Sequence, residues 1–280
     1  MVESIGKPNK DNGRINAVWT FSSIAEFLQT ADKCENPSFI SGDRKSWHYG
    51  KSEESNSWKK TEKLLQAGRG LSSIRKLAKK YRQEFENSKL AEITGKIKSV
   101  KRKRRFNDND GELDVERVMA GSDDYWTKMM RNGKRKVIRL GINCSLSADN
   151  KTASFSRIVA LASIFAELLE YLGHGVEIYG CFLYLPSGKR DRKYKWMGLQ
   201  FPVKASSEPL DFERIHSLGL QGLLRDAKFR CEKVLTGDYA GGCVEPEQEI
   251  LKLAGLDVVI GRDWIGGNEV EQVVQAIDSL

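Results

Sequence analysis

Three polar residues at alternate positions, Asn143, Ser145 and Ser147, directly follow the apolar run Val137 to Ile142. An amide oxygen and two hydroxyls are the oxygen donors a hard divalent cation takes; the same hydroxyls can instead cap the segment that follows. Asp149 a few residues on, and Asp263 just beyond the apolar run Leu256 to Gly261, could supply the carboxylate charge such a cation needs. Cys144, inside the turn, would act as a nucleophile only if a helix N-terminus lowered its thiol pKa, and no histidine adjoins it to take the proton. His48 sits between Trp47 and Tyr49, a setting for a partly buried aromatic anchor or for stacking on a base. His174, between Gly173 and Gly175, falls at a helix end, where an imidazole suits the negative pole. His216 is the third histidine. The chain contains no phosphate-binding Gly-x-x-x-x-Gly-Lys-Ser/Thr loop, no Gly-x-Ser-x-Gly elbow and no His-Glu-x-x-His pair, so no catalytic residue is assigned.

The other chemistry is cationic. The 280-residue chain has a net charge of +8, but Gly68 to Arg105 holds fourteen Lys or Arg against three Glu, a local +11 that leaves the rest at −3. A helix over Ser72 to Asn87 would place Ile74, Leu77, Ala78, Tyr81 and Phe85 on one side, with Arg75, Lys76, Lys79, Lys80 and Arg82 on the other. Further on, Lys101, Arg102, Lys103, Arg104 and Arg105 form the densest run. Such a patch fits an anionic partner, nucleic acid or an acidic protein, although a solvated helix face has the same composition. Nuclear import is a further reading of the run, but such short matches are frequent in basic chains.

The elements that must position these groups follow from periodicity. Val137 to Ile142, the polar turn Asn143 to Asn150, an apolar helix from Ser154 to Leu172 stopped by Gly173, and Val176 to Leu185 make a βαβ unit with parallel strands. Ligands of such sheets gather at the carboxyl ends of the strands, which is where the Asn143 turn falls. Tyr194 to Val203 is predicted to return antiparallel to Val176 to Leu185. Helices follow over Pro209 to Ser217 (with Ser207 as cap), Leu218 to Leu235, Glu247 to Ala254 and Asn268 to Leu280, with a parallel-type strand at Leu256 to Gly261. Upstream, Met1 to Ala17 reads as a flexible end, Trp19 to Ala31 and Ser57 to Ala67 as helices, and Gly121 to Met130 as a short helix. Asp110-Gly111 suggests a hairpin pairing the basic Lys96 to Phe106 strand with Leu113 to Val118, whose Asp114 and Glu116 would answer part of its charge. The chain therefore divides into a flexible 1–17, a basic α+β module over 18–120, and an α/β domain over 121–280 with a three-layer, mostly parallel sheet.

The Asn143-x-Ser145-x-Ser147 turn after a strand of a βαβ unit resembles the Asp-x-Ser-x-Ser turn of von Willebrand factor A domains, over about Lys134 to Leu280. That resemblance implies a Rossmann-like sheet with a divalent cation at its top, held here by Asn143, Ser145, Ser147 and Asp263. Asn143 stands where the family has Asp, which removes a negative charge. The Phe-x-x-x-x-Glu-Phe segment from Phe21 to Phe27, the basic ribbon and this C-terminal half are together similar to phage-encoded proteins of unknown function, implying a viral or mobile-element origin. Five cysteines, Cys34, Cys144, Cys181, Cys231 and Cys243, form no Cys-x-x-Cys pair, which argues against a disulfide framework or a zinc site. Met1 to Lys10 is polar and no apolar run reaches membrane-spanning length, so a cytoplasmic location is expected, in a host cell or virion if phage-encoded, with no membrane contact. The expected function is a non-enzymatic binding or assembly protein that meets nucleic acid or an acidic partner and needs no cofactor. The alternatives are a phosphodiester enzyme dependent on a divalent cation and a structural virion component.

Overall fold

The computed structural model of the chain describes residues 1–6, 14–34, 63, 65, 71–88, 103–107, 112–113, 119, 126–130, 136–145, 152–186, 194–237, 248–265 and 268–279. These fall into two compact units, one formed by Met1–Glu84 with Val137–Leu280 and the other by Phe85–Lys136.

The larger unit is α/β, built on a mixed six-stranded sheet. Its strands are β1 (Val2–Ile5), β2 (Ile15–Thr20), β6 (Val137–Asn143), β7 (Gly175–Tyr184), β8 (Tyr194–Lys204) and β9 (Val258–Ile260), lying side by side in the order β1-β2-β8-β7-β6-β9. The central βαβ unit is present as expected: β6 pairs in parallel with β7, from Val137↔Gly175 to Asn143↔Cys181, across the helix α3 (Thr152–Tyr171). β8 returns antiparallel to β7, and β9 lies parallel to β6 with Ile142 opposite Ile260. The sheet is mixed: β8 runs antiparallel to β7, β2 lies parallel to β8, and β1 turns antiparallel to β2.

β1 and the first half of β2 come from the segment 1–17, whose composition suggests a loose end. Ile15 to Thr20 holds only an intermittent apolar pattern, yet Ala17, Val18 and Trp19 are buried because β8 supplies the neighbouring ladder. The helix predicted over Trp19 to Ala31, with Ser22 or Ser23 as cap, is α1 (Ile24–Asp32), and Ser23 is its cap: the Ser23 side chain accepts the Glu26 N–H at 3.1 Å and Glu26 reaches back to the Ser22 N–H at 2.7 Å. α1 packs through Phe27, whose ring centroid lies 5.7 Å from that of Phe182 on β7 and 5.0 Å from that of Phe201 on β8. Burying one such ring contributes about 1.5–3 kcal/mol relative to leaving it in water.

Alternate residues of β7 serve two clusters. Cys181 and Leu183 join Val18, Trp196 and the helix α6 (Gln248–Ala254) through Ile250, Leu251 and Ala254, whereas Phe182 meets α1. Gly180, just before Cys181, leaves room for the Phe201 ring, for a Cβ there would come within 2.6 Å of it. α4 (Phe212–His216) is shorter than predicted, because Asp211 and not Ser207 is its cap, accepting from the N–H groups of Glu213 and Arg214. A 3-10 turn, Ser217–Gly219, then separates it from α5 (Gln221–Thr236), and the chain closes with α7 (Glu269–Ser279). α3 is followed by Gly173 at φ +94, α5 by Gly237 at +80 and α6 by Gly255 at +68, the left-handed conformation that glycine adopts at least cost.

The smaller unit holds a three-stranded antiparallel sheet, β3 (Lys103–Asn107), β4 (Glu112–Leu113) and β5 (Trp126–Met130), in the order β3-β5-β4. Both outer strands pair with β5, so the basic strand does not lie against the acidic one, and Trp126 to Met130 is a strand where a helix is predicted. Aromatic and unbranched apolar residues fit either state, and here the two flanking ladders decide. The predicted helix over Ser57 to Ala67, the Trp47-His48-Tyr49 segment and Asp114 to Val118 lie outside the described residues. No helix among the described residues is long and apolar enough to cross a membrane.

Candidate functional site

The basic helix α2 (Ser72–Ser88) carries its cations in two different ways. Ile74, Ala78 and Tyr81 are buried along one side and Leu77 is half-buried, which fixes the helix and leaves the opposite side to solvent. At the borders of the buried side the arginines turn to protein carboxylates. Arg75 Nη2 lies 2.6 Å from Glu213 Oε2 of α4, and Arg82 makes a two-pronged pair with Glu167 of α3 at 2.8–3.1 Å while its guanidinium covers the Phe212 ring at 5.5 Å. The planar, multiply donating guanidinium suits such pairs better than an ammonium does. Tyr81 completes the docking, its hydroxyl accepting from Arg157 Nε at 3.2 Å, and Arg157 also pairs with Glu269 of α7.

The lysines are arranged otherwise. Lys76, Lys79 and Lys80 are exposed, and Lys79 and Lys80 lie three and four residues beyond Lys76, so both neighbour it on one stripe. Lys80 lies 3.4 Å from Glu84 one turn on, a pair 70% and 42% exposed and therefore weak. Lys76 and Lys79 make no ion pair among the described residues. Of the cations in the second run, Lys103, Arg104 and Arg105 form the body of β3, whereas Lys101 and Arg102 lie outside the described residues. Lys128, which the β5 register sets directly opposite Arg105, has no more signal in the sequence than the alternation of Trp126, Lys128 and Met130.

At the end of the larger sheet the Asn143 turn has a structural task. Asn143 is 5% exposed, and its Oδ1 accepts the N–H of Ser145 at 3.0 Å and, more distantly, that of Leu183 on β7 at 3.4 Å. The amide thereby holds the end of β6 to the neighbouring strand, and an oxygen so engaged is a poor donor to a cation. The Ser145 hydroxyl is buried with no hydrogen-bond partner among the described residues, and Ser147 and Asp149 lie outside them. Asp263 is exposed in a 3-10 turn, Arg262–Trp264, beyond β9; since β9 runs parallel beside β6, it lies past the same sheet end as Asn143. It lines a shallow groove with Trp264, Gln272 and Gln275. Among the described residues no three His, Cys, Asp or Glu side chains come together as a metal-binding group.

Burial decides the remaining reactive groups. The Cys144 thiol is enclosed and pushed up to about 12, so it is neutral at physiological pH, the opposite of what a nucleophile needs. Cys181 and Cys231 are raised for the same reason. His216 is buried, Nε2 standing 3.2 Å from Ser163 Oγ, and burial lowers its pKa to about 4.

The chain is thus a mixed-sheet α/β protein with a docked helix whose lysines face solvent and a small basic ribbon. Residues 9–246 match the family described as Domain of unknown function (DUF7192), and the protein belongs to that family. No curated protein and no solved structure matches it.

Proposed function

We propose that this protein is a non-enzymatic binding protein that holds nucleic acid through its basic region, with the Lys76, Lys79 and Lys80 stripe of α2 as the principal contact in the larger unit. The observation that carries the reading is the division of labour on α2. Its arginines are engaged by Glu213 and Glu167, while Lys76 and Lys79 are exposed and meet no acid among the described residues. A stripe of ammonium groups on a rigid, well-docked helix fits the regular charge of a phosphate backbone. An acidic protein is the alternative partner. Filter binding of single- and double-stranded DNA and RNA from low to moderate salt tests the proposal. Retention should be high at low salt, fall steeply as salt rises, and weaken several-fold in Lys76→Glu/Lys79→Glu. No retention at low salt would refute it.

Two finer readings accompany the proposal. A von Willebrand A-like, three-layer arrangement of the larger unit is supported by the β6-α3-β7 crossover and by β9 returning parallel beside β6. A viral or mobile-element origin is supported only by the sequence likeness around Phe21 to Phe27 and the basic segments. The metal-dependent reading rests on Asp263 lying at the same sheet end as Asn143, and calorimetric titration with Mg²⁺ or Mn²⁺ checks it. Heat that disappears in Asp263→Ala would favour it over simple binding.

A further inference from the structure

Past the end of β9 the chain makes the 3-10 turn Arg262–Trp264 and later enters α7, and between turn and helix lies a shallow groove of about 330 Å³. Gln275, Ala276 and Ser279 lie three, four and seven residues beyond Gln272, so the four form one side of α7 and one wall of the groove. Asp263 and Trp264 form the other wall. Both walls are fixed by the fold. The Trp264 ring rests against Phe165 of α3, with centroids 5.9 Å apart, and Gln272 Nε2 donates to the Asp263 carbonyl at 3.5 Å. Two features of the lining call for a ligand. Trp264 is only half-buried, which leaves part of a large ring at the groove. Gln272 Oε1 is enclosed with no hydrogen-bond partner among the described residues, an acceptor whose loss of water a donated hydroxyl would offset.

We propose that this groove binds a neutral carbohydrate, one sugar ring lying against Trp264 with its hydroxyls bonded to Asp263, Gln272 and Gln275. The inference does not depend on the nucleic-acid reading above. The polar groups fit a sugar because they are mixed in kind: a carboxylate only accepts, an amide both donates and accepts, and the Ser279 hydroxyl does either. Sugar hydroxyls likewise do both, and the C–H face of the ring needs the apolar surface that Trp264 supplies. A volume near 330 Å³ is at the small end of ligand sites, with room for one ring. Charge separates this ligand from a polyanion. Glu269 to Ser279 contains Glu269, Glu271 and Asp278 and neither lysine nor arginine, and Asp263 stands in the facing wall, so a phosphate brought to the groove would meet like charge. A divalent cation would use Asp263 and leave Trp264 idle.

The test is NMR on the full chain, with the Trp264 indole N–H resonance as reporter, identified by its disappearance in Trp264→Phe. D-glucose, D-galactose, D-mannose and N-acetyl-D-glucosamine are titrated through the millimolar range, with Mg²⁺ and a short oligonucleotide as separate arms. At least one of the four sugars should move the resonance saturably, and equally with or without EDTA. Gln275→Ala, at an exposed position that leaves the turn and the Phe165 contact intact, should weaken binding about 2- to 10-fold, the effect of one lost hydrogen bond. Asp263→Ala should do the same. Trp264→Ala, followed by saturation transfer to the sugar protons, should weaken binding by a similar factor, about 2- to 10-fold for the lost ring contact, and Trp264→Tyr should restore most of it. No response to any of the four sugars, full affinity in both Gln275→Ala and Asp263→Ala, loss of binding on chelation, or movement of the resonance by the oligonucleotide alone would each overturn the proposal. None of these results bears on the α2 stripe, whose own test is the salt-dependent retention described above.

Discussion

Asn143 and His216 show how a polar residue that suggests chemistry can be absorbed by the fold. The Asn143 Oδ1 takes two backbone N–H groups, those of Ser145 and Leu183, where Asn143, Cys144 and Ser145 are almost closed to water. Asn143→Ala would leave both donors without that acceptor, at a cost of about 1–3 kcal/mol, which urea unfolding would register as a lower midpoint with an unchanged slope. His216 makes a prediction about pH. Its imidazole titrates near 6.5 when unfolded and at about 4 in the fold, where burial outweighs the opposing pull of Glu213 and where Arg75 and Arg82 add repulsion. The unfolded chain therefore takes up the proton first as pH falls. Stability from the neutral, enclosed imidazole is complete above about 6.5 and is lost progressively down to about 4, by on the order of 3 kcal/mol at most. His216→Gln, which stays neutral and can still meet Ser163, should flatten that part of the stability profile in thermal melts taken across the window.

Among the elements, α2 depends on apolar packing far more than on its ion pairs. Ile74 is wholly buried, and a Cβ added at Gly219 would run into Ile74 Cδ1 and approach Leu71 Cδ1 to 3.2 Å, so the 3-10 turn must be bare at that point. Ile74→Ala should cost about 2–5 kcal/mol and Gly219→Ala about 1–3 kcal/mol. Arg75→Ala, which removes a pair 56% and 41% exposed, should cost about 0.2–1 kcal/mol. Chemical denaturation of the three variants side by side gives the ranking. The same helix shows what sequence could and could not convey. Its bounds and buried side were legible because the 3.6-residue period is local, as were β6, α3, β7 and the antiparallel return of β8. Its pairing with Glu167 and Glu213, 85 and 138 residues away, left no local trace, so Arg75 read like the lysines beside it. β2 was missed for the same reason: Ile15 to Thr20 becomes a strand through β8, some 180 residues later. β5 was mistaken because a short run of Trp, Thr, Lys and Met satisfies both periods, and only the ladders on either side distinguish them.

At the scale of the whole molecule the question is whether +8 acts as a diffuse charge or through a place. A diffuse surplus draws any polyanion weakly, and its effect depends on the total alone. A local patch releases counterions where it touches, so the slope of log affinity against log salt counts the contacts it makes, about 0.7 per phosphate for single strands and 0.9 for duplex DNA. The two can be separated by moving the same charge change to different parts of the surface. Lys76→Glu/Lys79→Glu and Lys33→Glu/Lys252→Glu each lower the net charge by the same amount; all four lysines are exposed, but only the first pair lies on the α2 stripe. Against a labelled oligonucleotide at several salt concentrations, the α2 variant should lose about one to two units of slope and several-fold in affinity. The variant on α6 and beyond α1 should track the wild type. Equal losses would mean that total charge alone governs binding, and the stripe would then be an ordinary solvated helix face.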